Sequence, residues 1–62
     1  MSLKDDVDTL THLIQDTTNT PENVVRDRID GIKGKHQGAE GEIDMEIWPL
    51  LLDHRPNLLF KR

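Results

Sequence analysis

The chain has 62 residues, no cysteine and a formal net charge of −4, with 34% of residues apolar and 32% charged. That is room for one domain. The missing cysteines exclude a disulfide scaffold, a thiolate metal site and a thiol nucleophile, and the acidic balance argues against non-specific nucleic-acid binding.

The first segment reads as a helix over residues 3–16. Leu3, Val7, Leu10 and Ile14 follow four-three-four spacing, and Leu13 widens the same stripe. Ser2 is placed to cap the start, with Asp5 three positions on. Asp5 and Asp6 sit in the first turn, where the helix dipole favours negative charge. Thr17-Thr18-Asn19 ends the helix.

A second helix is predicted over residues 21–33. Thr20 would cap it and Pro21 would take its first helical position. Val24, Val25, Ile29 and Ile32 make its apolar stripe, and Gly34 marks its stop. So few residues separate the two helices that they should form a hairpin or a sharp corner. Residues 34–41, with glycines at 34, 38 and 41, read as an exposed, mobile loop. Those glycines lack the lysine-serine or lysine-threonine ending of a phosphate loop.

The last third, residues 42–60, is an apolar interaction segment. Residues 42–47 alternate polar and apolar, the period of a half-buried strand, although Ile43, Ile47, Leu50 and Leu51 also fit helical spacing. Pro49 argues against a helix running straight through, so residues 42–47 are expected to be extended or irregular. A short helix over residues 49–54 should then follow, ended by Arg55-Pro56. A lone strand would need a partner from another chain. The run Leu50-Leu51-Leu52 falls far short of the ~20 apolar residues that cross a membrane. No basic region followed by an apolar stretch opens the chain, so the expected location is cytoplasmic, with no membrane partner.

Candidate chemistry is sparse. Glu40, Glu42, Asp44 and Glu46 recur at every second residue and would all point one way from an extended segment. They do not meet the ordered ligand run of a calcium loop and read as a solvated face. His12, His36 and His54 have no zinc-ligand spacing. Ser2 is the only serine and already serves as a cap. No catalytic, metal-binding or cofactor-binding residue is assigned, and an enzyme is not expected.

The stretch TPENVVRDRIDGI resembles the recognition helices of helix-turn-helix and winged-helix regulators, in which a helix start followed by arginines meets the major groove. That resemblance implies nucleic-acid contacts at Asn23, Arg26 and Arg28. Asp27 and Asp30 beside them would face phosphate badly, and the short gap after Ile14 leaves no room for an intervening helix.

Trp48 with Leu50, Leu51 and Leu52 is the most informative cluster. On a helix, three adjacent leucines span roughly 200°, wider than the stripe one helix of a small monomer buries. Tryptophan is a frequent interface anchor, and a chain this short often completes its stability through association. The expectation is therefore a mainly α fold with two amphipathic helices, a Gly-rich loop and a short C-terminal helix or extended segment. Its expected function is as a small acidic protein–protein interaction or regulatory module, a homodimer or an adaptor. Its interface would comprise Ile47, Trp48, Leu50, Leu51, Leu52, Leu58 and Phe60. The alternatives are a DNA-binding regulator using the helix that starts at Pro21, and an acidic inhibitor that imitates nucleic acid.

Overall fold

The computed structural model describes residues 2–60, apart from the side chain of Phe60, and it is mainly α. Its helices are α1 (Leu3–Gln15), α2 (Glu22–Lys35), α3 (Glu40–His54) and α4 (Pro56–Phe60). α1 packs against both α2 and α3, and α4 folds back on α3. Val7, Leu10 and Ile14 of α1, Val25 and Ile32 of α2, and Ile43, Ile47 and Leu51 of α3 form one buried cluster.

α1 begins as its sequence dictates. The Ser2 hydroxyl accepts the Asp5 N–H at 3.2 Å, satisfying one of the unpaired first-turn donors. At the other end Asp16 takes over. Its carboxylate accepts the Asn19 N–H at 3.1 Å and its carbonyl accepts the Thr20 N–H at 3.0 Å. This last bond turns Thr20 inward, where it is buried, so the predicted threonine cap does not form. Pro21 takes the cap position instead, and its carbonyl receives the Val24 and Val25 N–H groups.

α2 runs past Gly31 and Gly34 to Lys35, two residues beyond the predicted end. A helical glycine costs about 1 kcal/mol but does not forbid the conformation. The chain reverses over residues 36–39, where the Ala39 N–H reaches the His36 carbonyl at 3.0 Å. Gly38, at φ 97°, takes the left-handed position that only glycine occupies without strain. Half of the expected loop 34–41 is thus helical.

α3 is the main correction. Residues 42–47 are helical, not extended, and the helix continues past Pro49. An extended segment here would have no strand to pair with among the described residues, whereas a helix satisfies its own backbone. Helical winding also puts Ile43, Ile47 and Leu51 together against α1. Pro49 is tolerated because it lies on the outer surface one turn after Met45, which is also exposed. The Met45 carbonyl that loses its intrahelical donor therefore faces the solvent side.

Three polar contacts lock the helices together. Arg55, the C-cap of α3, is only 3% exposed. Its guanidinium donates to the carbonyls of Ile14 at 2.9 Å, Leu13 at 3.1 Å and Asp16 at 3.0 Å. The Leu13 and Ile14 carbonyls are orphan acceptors of the last turn of α1, the Asp16 carbonyl is shared with the Thr20 N–H, and the cation sits at the negative end of that helix's dipole. Between α1 and α2, the His36 imidazole donates to the buried Asp6 carboxylate at 2.7 Å, with the Lys35 ammonium 3.5 Å away. The His36 hydrogen bond holds the Asp6 carboxyl below its ordinary range; burial opposes this, and the Lys35 charge reinforces it. Lys33 of α2 bridges to Asp44 of α3 at 2.7 Å.

Candidate functional site: the outward face of the third helix

α3 is apolar on two sides. Ile43, Ile47 and Leu51 recur at four-residue spacing and fill the core. A second set, Met45, Trp48 and Leu52, recurs at three and four and stays 80%, 49% and 55% exposed. At 100° per residue the two sets lie roughly 130° apart, so no single packing surface covers both. Pro49 and Gly41 fall on the same outward strip and are exposed as well. Single exposed apolar residues are ordinary on a protein surface, whereas here three recur along one side of a helix.

The same winding splits the acidic row. Residues two apart turn about 200° on a helix, so the four acids no longer share a direction. Glu40 and Asp44 lie toward α2. Glu40 accepts the Gly38 N–H at 2.9 Å, and Asp44 holds Lys33. Glu42 and Glu46 lie on the other flank of the apolar strip, both exposed. Among the described residues, neither has a basic group within the 4.0 Å of an ion pair. Beyond them an open groove of about 370 Å³ separates α1 from α3. Leu3, Val7 and Ile43 form its floor, while Glu42, Glu46, Asp8 and Lys4 form its rim.

The residues predicted for an interface are divided by the fold. Trp48 and Leu52 are exposed. Ile47 and Leu51 belong to the chain's own core and present no surface to a partner. Leu50 and Leu58 pack partly buried against that core. The side chain of Phe60 lies outside the described residues. Met45 is the surface residue that reading the sequence missed. Its place beside Trp48 and Leu52 emerges only once residues 42–47 are taken as helical.

On α2, Asn23, Arg26 and Arg28 are all exposed. Arg26 and Arg28, two residues apart, point to flanks roughly 200° apart. The helical positions of Asp27 and Asp30 put both on the same outer face as Asn23. Of the three histidines, His12 is exposed, His36 is bound to Asp6, and His54 lies 3.4 Å from Asp53. Among the described residues no group of three or more metal-ligating side chains comes together. No helix among them is long and apolar enough to cross a membrane.

No family model, no curated protein and no solved structure matches this chain. What it does is therefore read from its own surface, on which the strip along α3 is the most distinctive feature.

Proposed function

We propose that this chain is a non-catalytic protein–protein interaction module that binds another protein chain through the outward face of α3. Trp48 is the anchor, flanked by Met45 and Leu52. The observation that carries this reading is the indole, half exposed in the middle of an apolar strip on a helix whose opposite side is already buried. Aromatic residues ringed by smaller apolar ones are the usual energetic centre of an interface. The strip spans eight residues, about 10 Å of helix, which suits a helix laid alongside it.

The test places a photo-crosslinking amino acid at position 45 or, as a control, at position 23 on α2, in cells making the full chain. The expected outcome is a discrete adduct with an identified protein chain at position 45. It should disappear with Trp48→Ala and be absent at position 23. Equal, diffuse labelling at both positions would overturn the proposal.

A further inference from the structure

The flanks of the strip differ in charge, and that difference selects among occupants. On the α2 side, Asp44 is neutralised by Lys33 at 2.7 Å. On the α1 side, Glu42 and Glu46 are exposed, and among the described residues no basic partner lies within 4.0 Å of either. Behind them the groove exposes Leu3 in part over the buried Val7 and Ile43, and its far rim carries Lys4 and Asp8, 3.9 Å apart. We propose that the face of α3 is built for a basic amphipathic helix of a different protein. The partner's apolar residues would cover Met45, Trp48 and Leu52, and its lysines or arginines would pair with Glu42 and Glu46.

Two features favour this occupant. Long basic side chains have aliphatic stems that lie on apolar surface while the charged head meets a carboxylate at the edge. Leu3 offers that surface behind the two glutamates. A second copy of this chain fits less well. Packing two α3 helices antiparallel about a twofold axis at Trp48 sets like flanks together, and at that register Glu46 would face the exposed Asp53 of the second copy. Like charges across an interface cost affinity and exclude that partner.

This inference rests on the interaction reading above and deepens it. The probe is a pair of helical peptides of about 18 residues. Both carry the same leucine stripe, one edged by lysine and arginine and the other by glutamate. Binding to the full-length chain is followed through the emission of Trp48, the only tryptophan. The basic peptide should shift that emission to the blue and bind about tenfold more tightly than the acidic one, a gap that closes as salt is raised. Glu42→Gln with Glu46→Gln should remove most of the preference while leaving the apolar contribution. Equal binding of both peptides would overturn the charge selection but leave the face itself in use. Failure of both to bind, or self-association at micromolar concentration that shields the indole, would overturn the inference. A crosslink from position 45 to a different protein would still support the broader reading in either case.

Discussion

The Arg55 side chain donates from Nε to the carbonyl of Ile14 at 2.9 Å, joining residues 41 positions apart. The guanidinium fork also meets the Leu13 and Asp16 carbonyls. One buried cation thus closes the open end of α1, ends α3 and fixes the angle between them. Its backbone serves as well, since the Arg55 carbonyl accepts the Leu58 N–H at 3.0 Å as α4 begins.

Replacing Arg55 should therefore be among the most damaging single changes. Arg55→Ala strands the Leu13 and Ile14 carbonyls, and the expected loss is about 2–4 kcal/mol, read by urea denaturation. Arg55→Lys keeps the charge but cannot reproduce the fork, and should recover less than half of that loss. Wild-type stability in the alanine variant would remove Arg55 from this role.

The Asp6–His36 junction predicts an acid-side weakness. Because the folded chain holds the Asp6 carboxyl below its usual range, folding favours the ionised form. That contribution is fully present above the ordinary carboxylate range and is lost as pH falls through the lowered folded value. Stability followed down from neutral pH should decline across the acid range, and Asp6→Asn should flatten this part of the curve. An unchanged acid limb in the variant would show that the carboxylate is not linked to folding.

Pro49 is expected to cost stability where it stands. Alanine at this exposed position restores the N–H that Pro49 cannot offer to the Met45 carbonyl. Pro49→Ala should raise stability by about 1–3 kcal/mol in thermal or urea unfolding. A loss of stability would mean that the bend at proline is needed for α3 to reach the core.

Ile47 and Trp48 are adjacent in sequence, but one is buried and the other half exposed. Ile47→Ala leaves a cavity in the core and should cost about 2–4 kcal/mol. Trp48→Ala and Leu52→Ala should change stability by less than about 1 kcal/mol while abolishing peptide binding. Comparable destabilisation by all three variants would assign the outward strip to folding and not to recognition.

The sequence made α1 and its serine cap legible because one stripe, one cap and one stop signal agree there. It misplaced the start of α2 because the Asp16 carbonyl, four residues before Thr20, takes the Thr20 N–H and turns the residue inward, a competing local bond that cap preferences do not weigh. It misread residues 42–47 for a different reason. Ile43, Met45 and Ile47 follow a two-residue period while Ile43, Ile47, Leu50 and Leu51 also fit a helical one, and Pro49 tipped the choice toward a break. Only the surrounding packing shows that the proline faces outward and is tolerated. The same error hid Met45 and credited Ile47 and Leu51 to a partner, although the surplus of apolar surface near Trp48 was visible throughout. Arg55 gave no local sign of its role, because its acceptors lie on α1.

The most direct measurement of the central claim is acrylamide quenching of Trp48 in the dilute full-length chain, compared with the same chain in denaturant. A half-exposed indole on the outer face of α3 should be quenched to an intermediate extent, and Leu52→Ala should raise its accessibility further. Emission shielded from acrylamide in a chain that sediments as a monomer would mean that the tryptophan is already covered from within, leaving no free face for a partner.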